Sequence, residues 1–439
     1  MENIDHGEVH MCGIKSSEEL LKERMDRLVK AYLNKTPDRV PFVAPFPSIQ
    51  WAAKYTGVTT YDICFNYDIQ VKVQRKLLAD FNIDGIDSPP AIFPGLDNAL
   101  AVIAFIDYPE IANSLFLITG PIHDILRDKY TRWPGRELSV MGEPQFIGGE
   151  FMRPDEYKQL IEKPIDFLNE VIIPRVFESL SNPRSPRAIA ALIKAGREVQ
   201  KYQSVSLTLS SEYVKYGWPT ISISIFGIRP LDYISDHLRH PTNVMKDLYR
   251  RPDEVKQATE VITELAIKHL RLSLPPLIEL AKKMNIPFVT VGLPLHLNSM
   301  LSPKMYNEFY WPSLKRVILE IINLGAMPWI FFEGDHTPHL ETLLELPKGK
   351  VFGLFEKTDL RTVRRVIGDH MVISGGISPT LLAYGTREKV YDEVCKLLND
   401  VKEPGGFIFS GTGVALPIDA KFENIIAAAE AVKKCGVYS

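Results

Sequence analysis

Short apolar runs alternate with amphipathic stretches through the second half of the chain, and this alternation constrains the fold more than any other feature. The runs have the composition of buried β-strands, whereas the stretches between them have helical periodicity. Strict alternation of strand and helix indicates βαβ units and therefore a parallel sheet. The six predicted strands lie within residues 219–227, 286–295, 327–335, 350–359, 370–379 and 405–413.

Two earlier runs, RVPFVAPF (39–46) and FNIDGID (81–87), raise the number of predicted strands to eight. Eight strands without a GxGxxG fingerprint favour a closed (β/α)₈ TIM barrel, and an open flavodoxin-like sheet is the alternative. The segment SSEELLKERMDRLVKAYLN begins with a serine cap and continues with helical periodicity. We therefore predict an N-terminal helical arm over residues 1–35 and a barrel over residues 36–439.

The connection between the second and third predicted strands is about 130 residues long, too long for a plain crossover. It contains DKYTRWPGRELSVMGEPQFIGGE, which is rich in turn and β-forming residues, followed by a helical stretch. Long ordered insertions at the mouth of a barrel usually serve a site. We predict that an insertion of about residues 100–215 acts as a lid over the mouth.

Charge, hydropathy and cysteine usage exclude several classes of protein. The formal net charge of −3 gives no electrostatic reason to expect a nucleic acid or an anionic membrane as partner. No apolar stretch approaches the roughly 18 residues of a membrane span, and the N-terminus lacks the apolar core of a signal peptide. Cys12, Cys64, Cys395 and Cys435 form no CxxC pair, which argues against a disulfide framework or zinc finger and favours a cytoplasmic location.

Polar residues follow nearly every predicted strand, where a barrel of this kind has its active site. Aspartates at such junctions also serve as helix caps, and this alternative stays open for Asp87, Asp335 and Asp359. His296 is equally compatible with a buried core histidine, whereas Glu333, between the apolar run WIFF and Gly334, has no simple structural role. The strand-end residues are Asp84, Asp87, Arg229, His296, Asn298, Glu333, Asp335, His336, Glu356, Thr358, Asp359, Ser410 and Thr412.

Four segments resemble the uroporphyrinogen decarboxylase superfamily, and the similarity covers roughly residues 36–435. Two are C-terminal, GGISPTLLAYGTREKVYDEVCKLLND and GGFIFSGTGVALPIDAKFENIIAAAEAV. The others, FGIRPLDYISDHLRHPTNVMKDLYRRPDEV and SPKMYNEFYWPSLKRVI, resemble the segments around the third strand and fourth helix of that superfamily. The resemblance implies a TIM barrel with its chemistry at the mouth.

Two branches of this superfamily fit the sequence poorly. The decarboxylases carry an arginine-rich motif where this chain has PFVAPFPSIQWAAKYTG, and their final-strand histidine falls on Thr412. The methylcobamide:coenzyme M methyltransferases bind zinc through residues that fall on Phe331, Glu333 and Thr412. This chain therefore lacks the cations that a decarboxylase needs to bind a substrate with many carboxylates. It also lacks the thiolate and imidazole ligands that usually bind zinc in the methylcobamide:coenzyme M methyltransferases.

The remaining resemblance is to corrinoid-dependent methyltransferases of O-demethylase systems, of the veratrol and vanillate type. It implies transfer of a methyl group from a phenyl methyl ether to Co(I) of a separate corrinoid protein. A lyase acting on a smaller substrate, a methylcobamide:thiol methyltransferase and a non-catalytic tetrapyrrole-binding barrel are the alternatives. A homodimer is left open.

Demethylation of an aryl ether requires a group that protonates or stabilises the departing phenolate. We predict Glu333 as this acid, with His296 and Asp84 or Asp87 assisting. A hard oxygen-type metal site, with zinc as the candidate ion, would use Glu333 and Asp335. The predicted substrate-binding residues are Phe93, Trp133, Phe226, Arg229, Asn298, Tyr310, Glu356 and Thr412.

Overall fold

A parallel sheet of six strands forms the framework of the computed structural model, which describes residues 15–438. Its strands run in the order β5-β6-β7-β8-β9-β10, and each of the six predicted runs supplies one of them. The strands are β1 (Gly95–Asp97), β2 (Leu117–Thr119), β3 (Thr131–Arg132), β4 (Gln145–Phe146), β5 (Ser222–Phe226), β6 (Phe288–Leu295), β7 (Met327–Phe332), β8 (Phe352–Phe355), β9 (Val372–Gly375) and β10 (Phe407–Phe409).

Helices alternate with these strands through the second half, as the apolar pattern predicts. Three helices continue into π-helical turns, at Leu168–Ile172, Ile234–Arg239 and Tyr306–Tyr310. The helices are α1 (Ser17–Tyr32), α2 (Ile49–Thr56), α3 (Thr60–Phe65), α4 (Tyr67–Asp80), α5 (Ala99–Ala104), α6 (Pro109–Ser114), α7 (Gly120–Leu126), α8 (Tyr157–Glu162), α9 (Pro164–Phe167), α10 (Ile173–Val176), α11 (Pro186–Tyr213), α12 (Pro230–Tyr233), α13 (Pro241–Arg250), α14 (Pro252–Lys283), α15 (Pro303–Met305), α16 (Trp311–Asn323), α17 (Leu360–Ile367), α18 (Pro379–Tyr384), α19 (Arg387–Val401) and α20 (Phe422–Cys435).

The two early predicted strands extend the sheet toward a barrel through short parallel bridges. Phe42 pairs with Phe409 of β10, and Val43 pairs with Ser88. The Val43 amide donates to the Phe409 carbonyl at 2.8 Å, which fixes the first strand beside the last. The eight parallel segments confirm the predicted barrel architecture. Within residues 15–438, no strand pairing joins the second segment to β5, and the long insertion lies at this point.

Helix α1 is capped as the sequence predicts and packs under the barrel. The Ser16 hydroxyl accepts from the Glu19 amide, and the Glu19 carboxylate accepts from the Ser16 amide, forming a capping box. At the other end, Tyr32 packs on Phe288 and Phe352, the first residues of β6 and β8. The helix therefore closes the N-terminal end of the strands, and the described part of the predicted arm belongs to the barrel core.

The insertion between the second strand segment and β5 contains two small antiparallel hairpins, β1–β2 and β3–β4, and several helices. The amides of Phe151 and Met152 both donate to the Leu238 carbonyl at 2.8 Å. Arg239 forms an ion pair with Glu150 of the insertion. The insertion thus packs on the π-helical turn after β5, at the mouth of the barrel.

The prediction against disulfides is wrong for one pair of cysteines. Cys395 on α19 and Cys435 on α20 form a disulfide, with their Cα atoms 5.2 Å apart. The two residues are 40 positions apart in the sequence, so their proximity depends on the packing of adjacent helices and leaves no local motif. Cys64 is a buried thiol, and Cys12 lies outside the described residues.

None of the helices within residues 15–438 combines the length and the apolarity that a membrane crossing requires.

Candidate active site

Side chains from four consecutive barrel strands meet at the mouth. Asp236 comes from the π-helical turn after β5, His296 follows β6, Glu333 follows β7 and Glu356 follows β8. The carboxyl ends of parallel strands meet at one face of a barrel, which is why residues so distant in sequence converge.

His296 joins two carboxylates. Its Nδ1 lies 2.6 Å from Oδ2 of Asp236, and its Nε2 lies 3.4 Å from Oε2 of Glu333. Burial alone would lower the pKa of His296, but the charge and hydrogen bond of Asp236 outweigh it and raise the pKa to about 9. His296 is therefore an imidazolium at neutral pH, and its proton-bearing Nε2 faces Glu333.

Glu333 is the more accessible member of the pair, with 47% of its side chain exposed. Partial burial raises the pKa of its carboxyl group. The positive charge of His296 lowers this pKa, whereas the negative charges of Glu356 and Asp236 raise it further. The net direction is upward, so the carboxyl holds a proton more readily than an ordinary glutamate.

Asp232 lies beneath His296 and is completely buried. It accepts hydrogen bonds from the Tyr310 hydroxyl at 2.6 Å and from the Leu297 amide at 2.9 Å. Burial raises the pKa of Asp232, and the negative charge of Asp236 raises it further. The Asp236 carboxyl is held charged instead, because its interaction with the His296 imidazolium outweighs burial and lowers the pKa of Asp236.

Backbone and amide contacts position the loop that carries Glu333. The side-chain amide of Asn298 donates to the Glu333 carbonyl at 2.9 Å, and the Gly334 amide donates to a Glu356 carboxylate oxygen at 2.5 Å. Gly334 has φ of +70°, and an added Cβ would stand 2.4 Å from the Ser299 hydroxyl. Only glycine fits there, which explains the residue that follows Glu333.

Several predicted site residues converge here, namely Arg229, His296, Asn298, Tyr310, Glu333 and Glu356. Phe93 and Phe226 line a different cavity, of about 230 Å³, and Phe116 stacks on Phe226 with ring centroids 4.5 Å apart.

The two aspartates predicted to assist catalysis have structural partners elsewhere, so this assignment needs correction. Asp87 is completely buried and pairs with Arg27 of α1 and with Arg39 at the start of the first strand. Asp84 is largely exposed and pairs with Lys433 on α20. Both carboxylates follow the second strand, but they face α1 and α20 instead of the His296–Glu333 pair.

Trp133 and Thr412 are also engaged outside the cluster. Trp133 is completely buried in the insertion, where its indole donates to the Thr131 hydroxyl at 2.8 Å. The Thr412 hydroxyl donates to the Val414 carbonyl within its own loop. These contacts give both side chains a structural role, because the only donor each carries is already paired.

The residues do not form a metal centre of the expected kind. Within residues 15–438, no group of three or more histidine, cysteine, aspartate or glutamate side chains is arranged to hold a metal ion. Asp335, the second predicted metal ligand, accepts hydrogen bonds from the amide and hydroxyl of Thr337.

Three acidic and basic residues of the site were not predicted from the sequence: Asp232, Asp236 and His237. They lie in PLDYISDHLRH, which the pattern places on an outer helix. The available signal is the spacing of Asp232 and Asp236, because residues four apart share one face of a helix. Asp97 on β1 was also missed, and it contacts Arg229 across the insertion.

Comparison with known proteins relates the chain to one family and to several proteins. Residues 230–435 match the family model described as Uroporphyrinogen decarboxylase (URO-D). A uroporphyrinogen decarboxylase of Coxiella burnetii (strain RSA 493 / Nine Mile phase I) is 25% identical over 193 residues, which are 43% of this chain and 50% of that protein. One of Geobacter metallireducens (strain ATCC 53774 / DSM 7210 / GS-15) is 31% identical over 136 residues, 31% of this chain and 38% of that protein.

The matches to these relatives thus span about half of their length or less. Among solved structures, a methyltransferase from Methanosarcina mazei superimposes with a TM-score of 0.56 at 16% sequence identity. The superposition covers 94% of this chain and 98% of that protein, so the similarity of fold extends over both chains.

Proposed function

Because residues 230–435 match the family model described as Uroporphyrinogen decarboxylase (URO-D), we propose that this chain is a methyltransferase of that superfamily. It moves a methyl group from a methoxylated aromatic compound to Co(I) of a corrinoid protein. The observation that carries the proposal is the His296–Glu333 pair, 3.4 Å apart at the mouth and anchored by Asp236.

Ether cleavage sets the chemical requirement. The bond between the methyl carbon and the ether oxygen breaks, the methyl group goes to the acceptor, and the electron pair stays on oxygen. A phenolate leaves more easily when a proton reaches this oxygen in the transition state. The site therefore needs an acid that is protonated at neutral pH and reachable from the mouth.

His296 meets both conditions, and Glu333 lies beside it at the mouth. Asp236 keeps the imidazolium charged, with the pKa of His296 at about 9, and fixes its Nδ1 so that Nε2 is directed at the mouth. About a third of the His296 side chain and about half of the Glu333 side chain are exposed. We assign the proton to this pair, and Glu333 orients the ether oxygen or relays the proton.

The methyl acceptor, reduced cobalt of a corrinoid held by a separate protein, supplies the nucleophile when it is bound. The chain itself needs no nucleophilic side chain for this reaction. The exposure of His296 and Glu333 at the mouth suits an external acceptor, since a bulky cofactor has to approach the substrate from the side opposite the barrel core.

The local charge disfavours the decarboxylase alternative. The cations facing this cluster are Arg229 and the His296 imidazolium, and Arg229 already pairs with the carboxylate of Asp97. A porphyrinogen with many carboxylates would meet uncompensated like charge here. The carboxylates at or beside the cluster are Asp97, Asp232, Asp236, Glu333 and Glu356.

The test combines the purified chain, a panel of methoxyarenes and a reduced corrinoid protein, with absorbance monitored for the methylated cobalt. We expect the methylated-cobalt spectrum and one equivalent of the matching phenol. Release of carbon dioxide without any need for cobalt would instead identify a lyase, and absence of both products across the panel would refute the proposal.

In the same assay, Glu333→Gln tests whether Glu333 orients the ether oxygen or relays the proton, with Asp335→Asn as the matched control because Asp335 is bonded only to its own loop. We expect the glutamine variant to lose about 10²-fold or more in rate and the control to keep the wild-type rate. A Glu333→Gln variant with full activity would remove the role assigned to this residue.

A further inference from the structure

The ring of barrel strands is left open at one side of β5. Within residues 15–438, no strand pairs with this edge of β5, and the insertion covers it. A cavity of about 230 Å³ remains there, lined among others by Ser224 and Phe226 of β5 and by Phe116, Val199 and Gln203 of the insertion. We call it the seam cavity. A volume of roughly 150 Å³ is enough for a benzene ring, so the seam cavity has room for a ring with small substituents.

The seam cavity reaches the interior face of the barrel. Ser224 is the register partner of Thr290 on β6, and their hydroxyl oxygens are 2.6 Å apart. Phe288, two residues before Thr290, shares this face of the sheet and packs on Tyr32 of α1, which closes the N-terminal end of the barrel. Phe226 ends β5 on the same face. The cavity therefore extends to the carboxyl end of the strand, where the mouth lies.

The lining of the seam cavity is aromatic and uncharged. Phe116 stacks on Phe226 with ring centroids 4.5 Å apart, and the ring of Phe93 lies 6.3 Å from that of Phe226. Among residues 15–438, no charged side chain lines the cavity. Thr119 also lines it, is 2% exposed, and has a hydroxyl without a hydrogen-bond partner in the described part of the chain. A charged ligand would be costly to bury here, whereas an uncharged ring with one polar group can pack on the phenyl rings and bond to Thr119.

A larger depression lies on the outer side of the same part of the insertion. It has a volume of about 550 Å³ and is lined by residues of α5, α6, α10 and α11. Most of these side chains are apolar, and Ile111 and Leu192 are each 41% exposed. Apolar side chains that stay exposed in a concave surface are typical of a binding or entry site. We call this depression the outer groove.

Three residues form the wall between the outer groove and the seam cavity. Ser114 of α6 and Val199 and Gln203 of α11 line both of them. Across the wall, the side-chain amide of Gln203 donates to the Ser114 hydroxyl at 3.3 Å. This hydrogen bond is long and solvent-exposed, so water can replace either partner at little cost in free energy. The wall is therefore weakly held at this point.

We propose that the seam cavity binds a small uncharged aromatic molecule, which enters from the side through the outer groove when the contact between Gln203 and Ser114 opens. The stacked phenyl rings select a flat ligand, and the uncharged lining rejects anions. The Thr119 hydroxyl favours a ligand that carries a hydroxyl or ether oxygen. The site is separate from His296 and Glu333, neither of which lines the cavity or the groove.

The use of this lateral route rests on the proposed methyl transfer. In that reaction a corrinoid protein occupies the mouth, and the aromatic reactant and the phenol product still have to pass in and out. A lateral passage along β5 allows this exchange while the partner protein stays bound. The seam cavity then holds the small molecule on its way to or from the carboxyl end of β5.

Fluorine NMR of the purified chain, without any corrinoid protein, tests the site and its entrance. The probes are 4-fluorophenol, 4-fluorotoluene and 4-fluorobenzoate, which share one ring and differ in the group opposite the fluorine. Titration gives the dissociation constant of each probe, and exchange broadening of the fluorine signal gives its rate of entry.

Two variants change the wall, and each has a matched control on α11. Val199→Phe narrows the passage between groove and cavity, and Gln203→Ala removes the hydrogen bond across the wall. Ile193→Phe is the control for the first variant, because the Ile193 side chain is 62% exposed and lines neither space. Gln200→Ala is the control for the second, because Gln200 lines only the outer groove.

We expect the wild-type chain to bind 4-fluorophenol at least about 10-fold more tightly than 4-fluorobenzoate. Val199→Phe should weaken the binding of 4-fluorophenol about 10-fold or more. Gln203→Ala should speed its entry and change its affinity by less than about twofold. Thr119→Val should weaken the binding of 4-fluorophenol by about 3- to 10-fold and leave that of 4-fluorotoluene unchanged. Both controls should resemble the wild type.

Binding of the benzoate as tight as that of the phenol, or equal effects of Val199→Phe and Ile193→Phe, would overturn the seam site. If Val199→Phe does not fold, Ser114→Leu replaces it on the opposite side of the wall. An unchanged entry rate in Gln203→Ala would overturn the lateral entrance. The two proposals fail separately. Binding in the seam cavity without any methyl transfer would refute the methyltransferase and keep the site, and methyl transfer with probe binding that no wall variant changes would do the reverse.

Discussion

Two buried carboxylates, Asp87 and Asp236, follow the second and third barrel strands in chain order and have opposite surroundings. The oxygens of Asp87 accept four hydrogen bonds, from Arg27 at 2.6 Å, from two nitrogens of Arg39 at 2.8 and 3.0 Å and from the Phe42 amide at 2.9 Å. Every lone-pair direction is used, and arginine remains charged at any relevant pH. This network connects α1 to the first two strands.

Asp236 belongs to a network with more carboxylates than cations. Its strong partner is His296, which titrates, and His296 in turn faces the partly exposed Glu333. Asp232 beside them has a raised pKa because of burial and the charge of Asp236. A saturated network stabilises the fold, whereas an unsaturated network with shifted pKa values can hold and release a proton.

Replacing His296, the titratable cation beside Asp236, should have the largest effect on the rate of methyl transfer. We expect His296→Gln to lower the rate of methyl transfer by about 10²- to 10⁴-fold, because the imidazolium that protonates the leaving oxygen is gone. The rate is measured under single turnover, with thermal unfolding recorded in parallel. Partial recovery by added imidazole would identify a lost acid, and an unchanged rate would place the acid elsewhere.

Asp87→Asn should disrupt the hydrogen bonds and ion pairs around Asp87 and leave the rate of methyl transfer unchanged. Removing the charge leaves Arg27 and Arg39 without their shared counter-ion, so we expect a loss of about 3–5 kcal/mol in the free energy of unfolding. Urea denaturation measures this loss. The rate per folded molecule should not change, and a catalytic defect in a fully stable variant would restore the original assignment of Asp87 to the site.

Asp84→Asn is the matched control for that variant. Asp84 lies three residues earlier on the same segment, but its carboxylate is exposed beside Lys433. Pairs of this kind contribute about 0–1 kcal/mol. A large loss of stability in Asp84→Asn would show that the whole segment, and not the buried network, is sensitive to substitution.

The contrast between Asp87 and Asp236 also shows which features of the fold and the site can be predicted from the sequence. The six strands of the sheet were found because each is a continuous apolar run between polar stretches. His296 and Glu333 were found because they directly follow two of these runs. Their roles depend on Asp236, which comes from a π-helical turn whose register the 3.6-residue periodicity does not give.

Asp87 was misassigned for a related reason. Its position after a strand resembles that of Glu333, and only its partners distinguish the two. Arg27 and Arg39 are 60 and 48 residues earlier in the chain, so their convergence on Asp87 is a property of the fold. The disulfide between Cys395 and Cys435 was missed in the same way, because two helices have to pack before the sulfur atoms meet.

The two networks should also differ in their response to pH. The pKa of His296 is raised to about 9 from an ordinary value of 6.5, so the proposed acid stays protonated until the pH passes about 9. We expect the rate to fall roughly tenfold per pH unit above that value. Asp236→Asn should move the inflection to lower pH, and a profile flat to pH 10 would contradict the assignment.

The same shift affects stability with a defined sign. A group whose pKa is higher in the folded state stabilises the fold fully below its ordinary pKa and loses this contribution as the pH rises through the folded value. For His296 the loss runs from about pH 6.5 to about pH 9. Unfolding midpoints of wild type and His296→Gln should therefore converge above this range, whereas Asp87→Asn should differ from wild type by the same amount throughout.

The smallest effect on rate and stability is expected for a substitution of Tyr310. This residue bonds to Asp232 beside His296 and does not face the ether oxygen. Its hydroxyl donates to Asp232 at 2.6 Å, and the Leu297 amide remains as a second donor if that bond is lost. We expect Tyr310→Phe to cost about 1 kcal/mol in unfolding free energy and to lower the rate less than tenfold. Single-turnover rates and urea denaturation measure both quantities. Because the remaining donor keeps Asp232 in place, a loss comparable to that of His296→Gln would mean that Tyr310 itself reaches the reacting atoms, and the acid would then include its hydroxyl.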